Sequence, residues 1–117
     1  MKKIIHVDNS EFFRKLVRIF LEREGFEVDS YGSAQEANFV IASGSADMVI
    51  TGLAFADSEG EEFLRRTIES FAGPIIVVSA SMDQEKEEKL LAMGVHAVIS
   101  KSGSWQDHFL PHLRALK

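Results

Sequence analysis

Short β-branched runs alternate with segments of helical periodicity along the whole chain, and this alternation constrains the fold more than any other feature. The apolar runs predict strands at 3–7, 26–31, 48–51, 75–79 and 97–100. Between them, apolar residues recur at helical spacing, as at positions 13, 16, 17, 20 and 21. Strands and helices in strict alternation call for right-handed crossovers. The sequence therefore predicts an α/β fold: a doubly wound five-stranded parallel sheet with helices on both faces.

Capping signals predict where three of the helices begin. Ser10 is placed to cap the first helix, and Ser33 followed by Glu36 forms a capping box at the start of the second. Ser58 followed by Glu61 forms a capping box for the third helix.

The last two predicted helices, 83–93 and 105–116, carry more specific expectations. Glu85 and Lys89 are spaced for an i, i+4 ion pair. Pro111 removes a backbone donor, so the last helix is expected to start late or to kink. His108 and His112 lie on either side of Pro111 and are interpreted as surface residues, not metal ligands. Two aromatic residues of this helix are interpreted as core anchors: Trp105 and Phe109.

Length and composition exclude several classes of protein. The 117 residues suffice for one domain, predicted to span 1–117, and the formal charge of −5 argues against nucleic acid as a partner. The chain has no cysteine, hence no disulfide framework and no thiolate nucleophile. It has no apolar run of the roughly 18 residues that a membrane span needs. We expect a cytoplasmic protein without membrane contact.

Polar residues follow the carboxyl ends of the predicted strands, which is where functional sites of parallel α/β sheets lie. Asp8 and Asn9 follow the first strand, Ser79 ends the fourth, and Lys101 follows the fifth. The carboxyl ends of parallel strands share one rim, so these side chains are expected in one pocket. The central strand ends at Gly52, which has no side chain to contribute. No glycine lies between positions 8 and 12, which excludes a dinucleotide-binding Gly-x-Gly-x-x-Gly loop there.

In order and spacing, these residues resemble the receiver domain of response regulators, the phosphorylated module of two-component signalling. The resemblance covers the whole chain and rests on several short motifs: Val7-Asp8-Asn9, Asp47 to Ile50, Asp57 and Gly60, Ser79-Ala80, Ala92-Met93-Gly94, and Lys101. It implies a flavodoxin-like strand order, 2-1-3-4-5. It also implies a signalling module and not an enzyme.

Carried over position by position, the resemblance implies a degenerate phosphorylation pocket. The family's acidic pair that helps to hold Mg²⁺ falls on Asp8 and Asn9, so that one carboxylate has become an amide. The aspartate that accepts the phosphoryl group is replaced by Gly52, and the metal-binding carbonyl is that of Ala54. No cofactor is expected beyond weak Mg²⁺ binding. Asp8 and Lys101 would then be free to pair directly.

The resemblance also assigns the positions that respond to phosphorylation. The hydroxyl group that reports the phosphoryl group falls on Ser79, and the lysine that contacts it on Lys101. The aromatic switch position falls on Val98, and the proline that usually follows the lysine is replaced by Ser102.

The sequence-based hypothesis is an atypical receiver domain that acts through protein contacts without aspartyl phosphorylation. Its partner would be a histidine kinase or an output protein, bound through the face formed by 83–117; the oligomeric state is left open. The alternative is a receiver phosphorylated on a substitute acceptor such as Asp57, which dephosphorylates itself. A third possibility is that Gly52 was introduced to lock a signalling protein in its unphosphorylated state, but the further changes at Asn9 and Ser102 favour natural divergence.

Overall fold

The computed structural model describes residues 1–53 and 60–117. Within them, five parallel strands form one sheet in the order β2-β1-β3-β4-β5, which confirms the predicted topology. The strands are β1 (Lys3–Val7), β2 (Glu27–Tyr31), β3 (Met48–Thr51), β4 (Ile75–Ser79) and β5 (Ala97–Ser100). Every residue of β3 is buried, as expected for a central strand covered on both faces.

The helices are α1 (Glu11–Arg23), α2 (Ala34–Ala42), α3 (Gly60–Ser70), α4 (Gln84–Met93) and α5 (Trp105–Leu116). Two predicted caps are confirmed: Ser10 Oγ accepts a hydrogen bond from Phe13 N, and Ser33 Oγ accepts one from Glu36 N. The predicted cap at Ser58 lies outside the described residues. α4 begins one residue later than predicted, because Asp83 is its N-cap and accepts from Lys86 N.

The sheet separates two hydrophobic cores, because successive side chains of each strand point to opposite faces. On one face, α1 and α5 cover an aromatic core that includes Phe13, Trp105 and Phe109. On the other face, α2, α3 and α4 cover a more aliphatic core around Ile41 and Leu64. The predicted layering of helices on both faces is confirmed, and Trp105 and Phe109 are core anchors as interpreted.

Two local expectations were wrong. Lys89 does not pair with Glu85; its Nζ lies 2.9 Å from Glu61 Oε1, because α3 covers the same face of the sheet as α4 and offers a carboxylate from another element. The last helix does not start late, since it begins at Trp105; it continues through Pro111, and the alternative of a kink there stays a prediction. Pro111 is exposed, so water can solvate the carbonyl that loses its helical donor.

No helix in the described ranges, 1–53 and 60–117, is long and apolar enough to cross a membrane.

Candidate functional site

The carboxyl ends of β1, β3, β4 and β5 surround one cavity of about 380 Å³. It is lined by Asp8, Asn9, Gly52, Leu53, Val78, Ser79, Ala80, Ser81, Lys86 and Lys101. The five positions predicted for the pocket are all among these residues. They meet because parallel strands end on the same side of the sheet, as the sequence argument required.

Asp8 is a buried carboxylate that lines this cavity. Its Oδ2 lies 2.8 Å from Lys101 Nζ, and the side chain is only 2% exposed. Its Oδ1 accepts a hydrogen bond of 2.8 Å from Ser10 N, just before α1 begins. Oδ2 has no aligned hydrogen-bond donor in the described part of the chain, so its contact with Lys101 is an ion pair and not an aligned hydrogen bond. The Asp8–Lys101 pair predicted from the sequence is therefore present.

Lys101 is held from a second direction by an aromatic ring. Its Nζ lies 4.5 Å from the ring centroid of Phe13, which attracts the ammonium group by a cation–π interaction. Phe13 in turn packs edge-on against Trp105, with their ring centroids 5.3 Å apart. The ammonium group thus lies between a carboxylate and a ring fixed in the core.

Gly52 leaves the position beside Asp8 without a side chain. A Cβ atom built on Gly52 would lie 3.0 Å from Asp8 Oδ2, which is closer than an ordinary van der Waals contact. The backbone there is fixed, since Gly52 N donates to Val7 O at 2.8 Å. A larger residue at this position requires the Asp8 carboxylate to shift by a few tenths of an ångström.

The remaining predicted positions make local contacts. Ser79 Oγ donates to Ser81 O at 3.0 Å and accepts from Ser81 N at 3.3 Å, which closes a tight turn after β4. Val98 is half-buried against the aliphatic core, and Asn9 is exposed at the cavity edge. Ala54, predicted to supply a metal-binding carbonyl, and Asp57, the candidate substitute acceptor, lie outside the described residues.

His6 is a second buried polar side chain, two residues before Asp8 on β1. It is fully buried, and neither ring nitrogen has a hydrogen-bond partner among the described residues. Burial lowers the pKa of His6 from 6.5 to about 4; the positive charges of Lys101 and Arg14 act in the same direction, while Asp8 opposes them. At neutral pH the imidazole is therefore uncharged.

Sequence reasoning missed three side chains at this rim. Phe13 was counted only among the apolar positions of the first helix, yet its ring also supports Lys101. The Arg14 guanidinium group donates to the backbone carbonyl of Asp8, and Lys86 lines the cavity from α4. Phe13 and Arg14 lie in the first turn of the helix that follows Asp8, and this proximity was the available signal.

The sequence is similar to those of known proteins. The profile of the response regulator receiver domain matches residues 4–109. The chain belongs to this family. This receiver domain is 28% identical over 101 residues to the KDP operon transcriptional regulatory protein KdpE of Escherichia coli, covering 86% of this chain and 45% of that protein. It is 28% identical over 99 residues to the transcriptional regulatory protein ResD of Bacillus subtilis, covering 85% of this chain and 41% of that protein.

Solved structures agree on the fold. A two-component response regulator from Clostridium difficile superposes with a TM-score of 0.90 at 18% identity, covering 99% of this chain and 95% of that one. The receiver domain spans less than half the length of the two curated relatives.

Receiver domains share several general properties. Receiver domains bind Mg²⁺ at their phosphorylation site and interact with histidine kinases or output domains. As a family they are generally signalling modules and not enzymes.

Proposed function

We propose that this chain is an atypical receiver domain that signals through protein contacts without aspartyl phosphorylation. One observation carries the proposal: the acceptor position is Gly52, and the Asp8 carboxylate beside it is paired with Lys101 at 2.8 Å. Residues 1–117 would act as a single domain.

Phosphoryl transfer to a protein side chain needs a nucleophile in line with the phosphorus atom and cations to neutralise the developing charge. Gly52 supplies no nucleophile. Lys101, the residue that would contact a phosphoryl group, is already neutralised by Asp8 and supported by the Phe13 ring. The pocket thus holds its own charges in balance without a phosphoryl group.

The described residues do not fit a Mg²⁺ site. Mg²⁺ requires octahedral oxygen coordination and is usually held through one or two carboxylates. Asp8 is the one buried carboxylate at the rim in the described part of the chain, and its two oxygens contact Lys101 Nζ and Ser10 N. No group of three potential metal-binding His, Cys, Asp or Glu side chains occurs within 1–53 and 60–117. We therefore expect Mg²⁺ to bind weakly or not at all.

The partner would be a histidine kinase or an output protein, bound through the face formed by 83–117. Two positions, one just before this face and one on it, support a surface that does not change. The Ser79 hydroxyl, at the position that would report phosphorylation, is engaged with Ser81. Val98 replaces the aromatic side chain whose movement the family resemblance implies, and it packs against the core.

Intact mass after incubation with acetyl phosphate and Mg²⁺ tests the proposal without knowledge of a kinase. We expect no phosphate adduct on the wild-type chain. Gly52→Asp restores the nucleophile, and combined with Asn9→Asp it restores the acidic pair, so we expect an adduct on the double variant. Gly52→Asn is the matched control, since it has the same size as aspartate but is not a nucleophile.

An adduct on the wild-type chain contradicts the proposal and favours the alternative of a substitute acceptor. Peptide mapping would then examine Asp57 first. Loss of the adduct in Asp57→Asn, with retention in Asp8→Asn, would establish that alternative.

A further inference from the structure

A second cavity lies at the edge of the sheet opposite to Asp8, where the strands begin. It has a volume of about 680 Å³ and is lined by residues at the starts of β3, β4 and β5 and in the last turns of α5. The five residues of β4 place the two edges of the sheet about 15 Å apart, so this cavity is separate from the pocket around Asp8. We call it the amino-end cavity.

Two histidines are the titratable side chains among the described residues that line the amino-end cavity. They are His96, directly before β5, and His112, on α5. The described lining residues include no carboxylate, ammonium or guanidinium group. The cavity therefore offers a ligand two imidazole rings in otherwise apolar surroundings.

The two imidazole rings are held close together by different elements of the fold. Their centroids lie 5.2 Å apart. The backbone of His96 is fixed at the edge of the sheet, since its N–H donates to Ile75 O at 2.8 Å. The backbone of His112 is fixed by the next residue on α5, Leu113, which is buried in the aromatic core. Both histidines are thus positioned by packed elements before any ligand binds.

The distance between the rings is that expected for two imidazoles on one metal ion. Zn²⁺ lies about 2.1 Å from a ligating nitrogen and prefers tetrahedral angles, so two imidazoles on one such ion have their centroids about 5 Å apart. The ring planes are at 81°, so that the edge of one ring faces the other. Rotation of the exposed His96 ring about its soft χ2 torsion directs a nitrogen of each ring to a common point.

The protonation state of His112 also suits a metal ion. Burial lowers the pKa of His112 below its usual 6.5, and repulsion from His96 acts in the same direction. A neutral imidazole retains the lone pair that a metal ion requires.

We propose that His96 and His112 together bind one divalent transition-metal ion, represented by Zn²⁺, in the amino-end cavity. Imidazole suits Zn²⁺, Cu²⁺ and Ni²⁺, whereas Mg²⁺ prefers oxygen ligands. Within 1–53 and 60–117, no group of three His, Cys, Asp or Glu side chains is placed to hold a metal, so water in the cavity completes the coordination. The bound ion links α5 to the start of β5.

Calorimetric titration of the untagged chain with ZnCl₂ at pH 7 tests the proposal. We expect one Zn²⁺ per chain with a dissociation constant on the order of 10 µM, since two protein ligands bind more weakly than the four of a structural zinc site. His96→Gln and His112→Gln should each weaken binding by about tenfold or more. MgCl₂ should give no binding that either variant alters.

His108→Gln is the matched control, because His108 is an exposed histidine of α5 one turn before His112. It should bind Zn²⁺ within about twofold of the wild type. Because His96 is exposed, His96→Gln should keep the metal-free thermal midpoint within about 2 °C of the wild type.

Nitrogen-15 NMR of the histidine side chains identifies the ligands directly, because metal binding shifts the resonance of the ligating nitrogen. The resonances of His96 and His112 should shift together up to one equivalent of Zn²⁺, and those of His108 should not. Saturating Zn²⁺ should also raise the thermal midpoint of the wild type by about 5 °C, since the site exists only in the folded chain. His96→Gln should lose this increase.

A wild type that binds no Zn²⁺ up to millimolar concentration overturns the proposal, as does binding that is unchanged in His96→Gln. An equal loss of affinity in His108→Gln also overturns it, because the ion would then be held by two histidines of α5 alone. One Zn²⁺ for every two chains would contradict a site formed within one chain. None of these results depends on whether the chain is phosphorylated.

Discussion

Two buried polar side chains, one on β1 and one directly after it, differ in their surroundings. Asp8, after the strand, has partners: Lys101 Nζ at 2.8 Å and Ser10 N at 2.8 Å. His6 lies in the strand interior and has no hydrogen-bond partner among the described residues. A buried carboxylate stays ionised only where a cation and donors compensate it, whereas an imidazole can be buried by giving up its proton. At the rim of the sheet, Lys101 and the Ser10 N–H compensate Asp8. In the interior, the described residues offer His6 no such partner.

The largest expected effect comes from removing the cation. Lys101→Met keeps the aliphatic stem and leaves the Asp8 carboxylate buried without its partner, which should destabilise the fold by about 4 kcal/mol. Urea denaturation at pH 7 measures the change. Lys86→Met is the control, because Lys86 lines the same cavity and donates only a long hydrogen bond of 3.4 Å to Ser81 O. It should change stability by less than about 0.5 kcal/mol. Equal losses in the two variants would contradict the role given to the ion pair.

The pH dependence of His6 should be nearly as large. The unfolded chain binds a proton at His6 below pH 6.5, but the folded chain does so only below about pH 4, because burial lowers the pKa of His6. Stability attributable to His6 is therefore fully present above pH 6.5 and falls as the pH drops from 6.5 to about 4, by about 3 kcal/mol in all.

His6→Leu should remove this slope, and at pH 7 it should stabilise the fold by about 1 kcal/mol, since it replaces unpaired polar atoms with apolar ones. Denaturation curves at several pH values compare the variant with the wild type. His108→Gln, at an exposed position of α5, should retain the slope. An identical slope in His6→Leu and the wild type would rule out a neutral, buried imidazole.

Removing the anion should cost less than removing the cation. In Asp8→Asn the amide can still accept from Ser10 N, and Lys101, which is 22% exposed, can turn its ammonium group to water. We expect a loss of about 2 kcal/mol. The double variant Asp8→Asn, Lys101→Met should be more stable than Lys101→Met alone. A double variant whose loss equals the sum of the single losses would show that the two residues are energetically independent.

The smallest expected effect concerns the backbone that presents the site. Ser10→Ala removes the hydroxyl that accepts from Phe13 N, but it keeps the Ser10 backbone N–H that donates to Asp8. The loss of one N-cap should cost about 1 kcal/mol, with no change in the pH slope of His6. Ser33→Ala at the start of α2 is the matched cap far from the rim, and it should cost about as much. A much larger loss in Ser10→Ala would mean that the hydroxyl also supports the ion pair.

The order of the elements and the position of the pocket were predictable from local patterns. Apolar runs at 3–7, 48–51 and 75–79 could pack only as buried strands, and their carboxyl ends had to share a rim. Even the Asp8–Lys101 pair was predictable, because both residues follow strands whose carboxyl ends share that rim and Gly52 offers no competing carboxylate.

Contacts between elements were less predictable, because they depend on which helices pack side by side. Lys89 forms its ion pair with Glu61 on α3 and not with Glu85 on its own helix. His112 was interpreted only as a surface residue of α5, yet its ring packs edge-on against His96, with centroids 5.2 Å apart. Helical spacing describes one element at a time and says nothing of a neighbour's side chains.

The sequence by itself determined the fold class, the strand order through its family resemblance, and the lack of a side chain at position 52. The tertiary structure alone decided three features: the Phe13 ring lies beside Lys101 Nζ, His6 is buried with no hydrogen-bond partner among the described residues, and α1 exposes Phe12, Leu16 and Ile19. The physical reason is the same in each case. Hydrophobic periodicity specifies which side of an element is buried, whereas partners and exposure depend on how separate elements meet in three dimensions.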